Sequence, residues 1–422
     1  MTPIIAATIF ILAYIFIASE KINKTSVALL GASLMLIFHI ISQDKAFEHI
    51  DMNVIFLLIS MMVLVKIMEK TGIFEFIAIK FAKMAKGNPY KIMVILFFLT
   101  AVFSAFLDNI TTVLLIAPVS ILLAKELEIS PMPFLIVQIF ASNIGGTATL
   151  IGDPPNIMIG SAAGLSFLDF LINVGPIVLI LMIIFALLFI FIFKGSMTVT
   201  NKNRARIMDF NENNMIRDKK LLRRSLIIFA GVIIGFMIHG FVDLEAASIA
   251  ISGAAFLMIF SGVDTEEILK EVEWSGISFF IGLFIMVGAL VETGVIKLIS
   301  TEMLNFTHGD VQFTAKIMIW FSGIFSAIVD NIPFVATTIP LVNDVGTVAG
   351  KEAIEPIWWA LSLGACLGGN GTLIGASANI IVANFAEKSG SRIGFLSFLK
   401  YSIPLTLFSL LVSYIYLVLR YF

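Results

Sequence analysis

Charged residues are scarce in this 422-residue sequence. Lys, Arg, Asp and Glu make up 13% of it, whereas 59% of the residues are hydrophobic and the mean hydropathy is +1.03. A soluble fold of this length could not cover so much apolar surface with so few charges, because soluble proteins carry about 25% charged residues. Several apolar stretches approach or exceed the roughly 20 residues that cross a bilayer. The composition predicts a multi-pass protein of the lipid bilayer and excludes secreted, cytosolic and nucleic-acid-binding proteins.

Residues suited to metal binding or covalent catalysis are also few. Cys366 is the single cysteine, which excludes a disulfide framework and a multi-cysteine metal site. The four histidines show no ligand spacing. No Gly-Lys-Ser/Thr sequence follows the glycine-rich segments, so ATP hydrolysis by this chain is not expected. Without a nucleophile–base pair or a cluster of metal ligands, we expect no enzymatic activity and no bound cofactor.

The second half of the sequence repeats motifs of the first half. Asp108-Asn109 recurs as Asp330-Asn331, 222 residues later. After one inserted residue, the Gly-Gly, Thr-Leu-Ile-Gly and Asn of residues 145–156 recur within 368–379. Chance similarity does not hold register over so many positions, so the chain is predicted to contain two copies of one unit.

Each copy is predicted to hold five transmembrane helices and one re-entrant hairpin. The first copy spans residues 1–193, with scaffold helices in 1–91, a hairpin and a broken helix in 92–163, and a last helix in 167–193. The second copy spans 225–422, with the corresponding parts in 225–291, 315–386 and 393–420. Residues 194–224 form a polar cytoplasmic loop between them. Because an odd number of crossings returns the chain to the opposite side, the second copy should be inverted relative to the first.

Two long apolar runs carry a polar dipeptide near their middle. Residues 92–124 would extend about 50 Å as one helix, which exceeds the thickness of a bilayer. Two half-length helices that meet at Asp108-Asn109 would instead form a re-entrant hairpin with a polar tip near mid-membrane. Asp330-Asn331, followed by Pro333, predicts the second hairpin. The alternative is one long tilted helix with a buried aspartate.

The run after each hairpin is interrupted by glycine and, in the first copy, by proline. Residues 143–156 and 368–379 cannot form continuous helices because paired glycines and prolines weaken or break them. Such breaks leave backbone polar groups unpaired, which a membrane tolerates only where the groups are buried in protein or line a cavity. Both breaks are therefore predicted to face the same cavity at the membrane midplane.

The distribution of Lys and Arg predicts an orientation. A cytoplasmic 194–224 loop leaves only five of the 27 basic residues outside: Lys45, Lys297, Lys316, Lys351 and Arg420. This asymmetry satisfies the positive-inside rule and places both termini on the extracytoplasmic side of the plasma (inner) membrane. Inverted repeats, broken helices and polar midplane residues together are typical of a secondary transporter.

The candidate site consists of the polar side chains that the hairpins and breaks bring to mid-membrane. They are Asp108, Asn109, Thr111, Thr112, Asn143, Thr147, Thr149, Asp153, Asn156, Asp330, Asn331, Asn370, Thr372, Ser377 and Asn379. No Lys, Arg or His lies in these segments, so the carboxylates should be protonated or neutralised by a bound cation, with H+ or Na+ near Asp108 and Asp330. A single intramembrane Asn or Thr is otherwise a helix–helix contact, and Asp153 could simply cap the helix that follows it.

Two of these motifs resemble those of the ion transporter superfamily. Asp-Asn-Ile-Thr-Thr-Val-Leu-Leu at 108–115 and Asn-Ile-Gly-Gly-Thr-Ala-Thr-Leu-Ile-Gly-Asp-Pro-Pro-Asn at 143–156 are most similar to the branch that holds ArsB, the NhaD-type antiporters and the P protein. The resemblance implies an elevator-type fold, a homodimeric scaffold, and an ion and substrate site at the tips and breaks. It also implies arsenite or antimonite as cargo and, for this branch, a soluble ATPase subunit as a partner.

The expected function is thus H+- or Na+-coupled secondary transport of a small inorganic ion or oxyacid, with arsenite or antimonite efflux as the leading cargo. A Na+/H+ antiporter is the alternative. An anion or carboxylate carrier is a further alternative, which the aspartate at each tip disfavours because it would repel the substrate. One cysteine cannot offer three thiolates to As(III), so arsenite would be bound as its neutral trihydroxide through hydrogen bonds. A passive channel would conduct far faster than any of these carriers.

The predicted topology can be tested by cysteine labelling. Cysteines introduced at Ser196 and at Thr307 should react with an impermeant maleimide from opposite sides of the membrane, because the two copies are predicted to be inverted. Labelling of both positions from the same side would contradict the topology.

Overall fold

The computed structural model describes residues 2–19, 21–242 and 244–422. Every regular element that these residues form is a helix. The first half contains α1 (Thr2–Ser19), α2 (Lys24–Ile37), α3 (Gln43–Glu48), α4 (Met52–Lys70), α5 (Ile73–Met84), α6 (Pro89–Phe106), α7 (Asn109–Glu126), α8 (Met132–Thr147), α9 (Pro154–Ala163), α10 (Phe167–Asn173) and α11 (Gly175–Ile192). A central segment contains α12 (Asn201–Met208) and a 3-10 helix at Glu212–Met215.

The second half contains α13 (Lys219–Ile238), a 3-10 helix at His239–Phe241, α14 (Ala246–Ser261), α15 (Thr265–Lys270), α16 (Trp274–Glu292), α17 (Val295–Thr307), α18 (Val311–Ile328), α19 (Asn331–Ala349), α20 (Glu355–Gly368), α21 (Ser377–Lys388) and α22 (Phe395–Tyr421). Within the described ranges, ten helices are long and apolar enough to cross a membrane, or up to eleven if the bent pair α9–α10 is one span.

The order and the starting points of the helices recur between the halves. Helices α2, α3, α4, α6 and α7 begin at residues 24, 43, 52, 89 and 109, and helices α14, α15, α16, α18 and α19 begin 222 residues later, at 246, 265, 274, 311 and 331. Helices α9 and α21 begin 223 residues apart, at 154 and 377, which matches the inserted residue. The duplicated motifs therefore sit on duplicated helices.

The polar dipeptides lie at helix junctions. Asn88 caps the start of α6, and α6 ends at Phe106; Asp108 then caps α7. Both helices pack against α8 as well as against each other, so the alternative of one long continuous helix is wrong. The two helices differ from the prediction in length. Each has 18 residues, or about 27 Å, and is long enough to cross a membrane, whereas half-length helices were expected.

Both predicted breaks are present. The chain leaves the helical conformation between α8 and α9, over residues 148–153, and between α20 and α21, over residues 369–376. After α9 the chain turns by 111° into α10. The ends of α8, α9, α20 and α21 that flank the breaks thus lie close to the α6–α7 and α18–α19 junctions. The predicted site residues lie at these ends and junctions, in one region of the fold.

The polar segment at residues 194–224 packs against the first half. Lys83 Nζ lies 2.6 Å from Glu212 Oε2, and Asn203 Nδ2 donates to the carbonyl of Leu127 at the end of α7. The hydrogen bond from Asn203 and the charge of Arg206 lower the pKa of the exposed Glu128 carboxyl. The segment thereby ties the ends of α5 and α7 together.

The structure refines the labelling experiment. Ser196 is exposed, but the Thr307 side chain is only 2% exposed and would react slowly. His308, the exposed residue that follows it, is the better position for the second cysteine.

Helix pairs α6–α8 and α18–α20 approach each other through glycine. A Cβ at Gly145 would collide with the backbone of Ala101, and a Cβ at Gly368 would collide with the backbone of Gly323. These positions are equivalent in the two halves. Small residues at such contacts let helices pack backbone to backbone, which is the main source of cohesion between helices in a membrane.

Gly145→Ala and Gly368→Ala should each lower the stability of the protein, by about 1–3 kcal/mol, because the added methyl group forces the helices apart. Thermal unfolding in detergent measures the effect. Gly231→Ala is the control, since no atom lies within 4 Å of the added carbon and alanine favours the helix. Equal melting temperatures for all three variants would contradict the close packing.

Candidate functional site

The two hairpin tips meet at one buried carboxylate. Asn331 Nδ2 lies 3.3 Å and 3.2 Å from the two carboxylate oxygens of Asp153, and Asn109 Nδ2 lies 3.5 Å from Oδ1. The Asp153 side chain is fully buried. Asn109 and Asn331 occupy equivalent positions, at the first residues of α7 and α19. Asp153 therefore accepts hydrogen bonds from the corresponding residue of each half.

Asp153 stands at the start of α9 without capping it. Its side chain makes no capping hydrogen bond to α9, so the interpretation of Asp153 as a helix cap is wrong. The equivalent position in the second half is Ala376, at the start of α21. The site consequently has a single central carboxylate although the halves around it are duplicated.

Asparagine side chains connect the two breaks. Asn143 Nδ2 donates to Asn370 Oδ1 and to Asn379 Oδ1, at 3.0 Å each, and its own Oδ1 accepts from Asn109 at 3.3 Å. The Nδ2 group of Asn370 is buried and has no hydrogen-bond partner within the described parts of the chain. The network thus joins the first hairpin to both breaks and retains an unused donor.

Two equivalent asparagines hold the broken backbone. Asn156 Nδ2 donates to the carbonyls of Thr147 (3.1 Å) and Thr149 (2.9 Å), and Asn379 Nδ2 donates to those of Gly369 (2.7 Å) and Thr372 (2.9 Å). Because a buried carbonyl without a partner is costly, these amides replace the helical bonds that the breaks remove.

The threonines of the breaks also bond to backbone carbonyls. Thr149 and Thr372 donate to Ala105 and Ala327, which are equivalent residues just before the hairpin tips. Thr147 donates to the carbonyl of Asn143. These hydroxyl groups therefore hold the backbone of the breaks in place. The other candidate residues of the breaks differ in whether their side chains bond to the backbone. The Asp153 carboxylate and the Nδ2 of Asn370, by contrast, make no hydrogen bond to the backbone within the described residues.

The hairpin aspartates cap the helices that follow them. Asp108 accepts from the amide of Thr111 at 2.8 Å and from the Thr111 hydroxyl, and Asp330 accepts from the amide of Ile332 at 3.2 Å. Each carboxylate keeps further acceptor capacity, because an ionised carboxylate has about four lone-pair sites. Thr112 Oγ1, next to Thr111, is buried without a partner within the described residues.

Sequence reasoning missed one site residue, Lys24. Its Nζ lies 2.7 Å from Asp330 Oδ2 and 2.7 Å from Ser377 Oγ. The expectation that the aspartates have no basic partner is therefore wrong for Asp330. Lys24 begins α2, more than 300 positions from Asp330, and its position in the sequence suggested a cytoplasmic lysine. No local sequence signal pairs Lys24 with Asp330, because the two residues lie on separate helices that only the tertiary fold brings together.

A cavity of about 510 Å³ opens beside this ion pair. Lys24, Asp108, Glu273 and Ser377 line it together with apolar side chains of α4 and α16. The carboxylates of Asp108 and Asp330 and the hydroxyl of Ser377 are oxygen ligands of the kind that Na+ accepts. At Asp330, however, a cation would have to share the carboxylate with the Lys24 ammonium.

Asn156→Ala and Asn379→Ala should each destabilise the protein, because each leaves two or more buried carbonyls without a donor, at about 1–3 kcal/mol per group. Thermal unfolding in detergent measures this loss. The half-saturating cation concentration of the protein that remains folded should stay unchanged. A large change in cation affinity without a loss of stability would instead make these residues ligands.

The chain resembles proteins of one transporter family over almost its whole length. The family model CitMHS, described as citrate transporter, matches residues 14–364. An uncharacterized transporter of Mycobacterium bovis is 43% identical, and the match covers 99% of both chains. The P protein of Sus scrofa is 32% identical over 99% of this chain and 59% of that protein.

The fold matches a solved transporter structure as well. The structure of the Alcanivorax borkumensis YdaH transporter superposes with a TM-score of 0.61 over 93% of this chain and 95% of that chain, at 10% sequence identity. This likeness confirms the all-helical, multi-pass transporter fold. A more specific placement beside ArsB stays a prediction. The chain belongs to the CitMHS family of the ion transporter superfamily and is a secondary transporter.

Proposed function

We propose that this protein couples the movement of H+ or Na+ to that of a small inorganic solute, with Asp153 as the coupling carboxylate. The observation that carries the proposal is the convergence of both hairpin tips on Asp153. In the described residues, this carboxylate accepts hydrogen bonds from neutral amides and forms no salt bridge. A proton or a bound Na+ at Asp153 would change the hydrogen bonds that this carboxylate accepts from both hairpins.

Burial makes the charge state of Asp153 decisive. An ionised carboxylate taken out of water costs several kcal/mol even after relaxation, and two amide donors offset only part of that cost. The ionised site therefore favours a cation. Loss of the cation would leave a charge whose desolvation opposes movement of the site through the membrane, so that empty and loaded carriers differ in their freedom to move. This difference is the physical basis of coupling.

The proposed movement is an elevator-type displacement within an inverted-repeat dimer. The duplicated helix order supports two related units around one site. So do the equivalent backbone contacts that Asn156 and Thr149 make in the first half and that Asn379 and Thr372 make in the second. In this arrangement, α6–α9 and α18–α21 would move as one body against the remaining helices, in the plasma membrane. The inverted orientation is the one that the labelling experiment tests.

The unused groups of the site suit a small solute with hydroxyl groups. Asn370 Nδ2 offers a donor, and Thr112 Oγ1 offers both a donor and an acceptor. Neutral arsenous or antimonous acid could hydrogen-bond to groups of this kind without any thiolate. Na+/H+ exchange is the second candidate, because Asp108 faces the cavity without a salt bridge within the described residues. A carboxylate substrate would need a free cation, and Lys24 is engaged by Asp330.

Asp153→Asn should abolish coupled transport, with a loss of at least about 100-fold, while the protein still folds. The amide keeps the shape of the side chain and can accept from Asn109 and Asn331, but it can no longer gain or lose a charge. The measurement is solute flux into proteoliposomes with an imposed pH or Na+ gradient. Arsenite, Na+, phosphate and citrate are supplied in turn, which also identifies the cargo.

Asp310→Asn is the matched control. Asp310 is an exposed cap of α18, outside the site, and asparagine caps a helix about as well as aspartate. This variant should transport like the unaltered protein. Gradient-driven transport that survives in Asp153→Asn would refute the proposed role of Asp153, and unitary fluxes at channel rates would refute a carrier mechanism.

A further inference from the structure

Lys24 occupies an oxygen-lined position that resembles a monovalent cation site. Its ammonium contacts Asp330 Oδ2 and Ser377 Oγ at 2.7 Å each, and the Ser377 hydroxyl in turn donates to the same carboxylate oxygen at 2.8 Å. A carboxylate and a hydroxyl are ligands that Na+ would use in the same place. The lysine therefore fills, from within the protein, the position that a dissolved cation would take.

The pair joins parts of the chain that are expected to move relative to each other. Lys24 begins α2, in the predicted scaffold. Asp330 caps α19 in the second hairpin, and Ser377 begins α21 after the second break. An ion pair across such a boundary holds the two parts together while it is intact. Its release would be a condition for movement.

The cavity beside Lys24 has room for the ammonium once it leaves Asp330. The Lys24 side chain is 33% exposed, whereas that of Asp330 is 12% exposed, so the lysine is the partner with access to the cavity. Glu273 lines the same cavity, and its carboxylate forms no salt bridge within the described parts of the chain. The ring of Phe279 lies 5.0 Å from Nζ and adds a cation–π contact.

Among the described residues, the first hairpin has no equivalent of this ion pair. The position equivalent to Lys24 is Ala246, at the start of α14, so the first hairpin has no lysine at that position to pair with Asp108. Two equivalent aspartates therefore differ: Asp330 has an internal cation, and Asp108 forms no salt bridge within the described parts of the chain. Helix capping does not explain this difference, because Asp108 and Asp330 both cap the helices that follow them.

We propose that Lys24 is a tethered counter-cation that competes with transported Na+ for Asp330 and Ser377. The inference rests on the proposed function, in which Asp153 is the coupling carboxylate, and adds to it a second position for Na+, at Asp330 and Ser377, and the residue that controls binding there. When Na+ is absent, Lys24 neutralises Asp330. When Na+ binds, Lys24 moves toward Glu273, and the link between α2 and the second hairpin opens.

Lys24→Met tests the proposal, because methionine keeps much of the length of lysine without its charge. Thermal unfolding in detergent is followed while Na+ is titrated at constant ionic strength against choline. We expect Lys24→Met to be less stable than the unaltered protein in choline and to regain that stability in Na+. Its half-saturating Na+ concentration should be lower by about tenfold or more, since a competing charge at contact distance has been removed.

Three further variants make the result specific. Lys24→Arg should keep the Na+ response of the unaltered protein. Lys83→Met breaks an ion pair of similar exposure outside the site, with Glu212, and its loss of stability should not be regained in Na+. The double variant Lys24→Met/Asp330→Asn removes both charges, so it should be more stable in choline than Lys24→Met and should lose the tightened Na+ response.

An unchanged half-saturating Na+ concentration in Lys24→Met would overturn the proposal. So would a loss of stability that Na+ does not reverse, or a tightened Na+ response that persists in the double variant. If Lys24→Met cannot be purified, Lys24→Arg and the double variant still decide: a Na+ response that changes in Lys24→Arg, or that tightens in the double variant, also overturns the proposal. Loss of coupling in Asp153→Asn together with any of these results would leave the proposed function standing and reject only the role of Lys24.

Discussion

Backbone carbonyls in the two breaks have no hydrogen-bond donor within a helix, and the interior of a membrane contains little water that could donate instead. The side-chain amides of Asn156 and Asn379 supply the missing donors, and the hydroxyls of Thr149 and Thr372 fix the breaks against the helices before the hairpin tips. The rest of the site depends on this satisfaction of freed backbone groups, because it allows two non-helical segments to lie side by side in the interior. Each half uses the same residues for the purpose.

Within this duplicated framework the chemistry is unsymmetrical. Asp153 has Ala376 as its equivalent, and Lys24 has Ala246. Duplication provides a rigid setting with matched geometry, and the two departures from it provide a single central carboxylate and a single internal cation. A site with two equal carboxylates at its centre would suffer like-charge repulsion unless one were protonated. The asymmetry thus lets one buried charge respond to one cation.

Glycine packing explains how these polar segments stay fixed. The contacts of α8 with α6 at Gly145 and of α20 with α18 at Gly368 allow the backbones to approach until no side chain fits between them. Since helices in a membrane gain little from the hydrophobic effect, close packing of this kind supplies much of their cohesion. The polar segment at residues 194–224 adds restraint at the ends of α5 and α7, through ion pairs near the surface.

Composition, the repeated motifs and the run lengths were enough to predict a multi-pass transporter with junctions at Asp108 and Asp330 and breaks within 143–156 and 368–379, since each follows from local propensity and from the length that a bilayer accepts. The structure narrows the breaks to 148–153 and 369–376. Those signals are local, and they could not rank the fifteen candidate residues. The convergence of Asn109 and Asn331 on Asp153, the use of Asn156 and Asn379 as backbone donors, and the pairing of Lys24 with Asp330 were decided by tertiary structure, because each joins side chains from helices far apart in the chain.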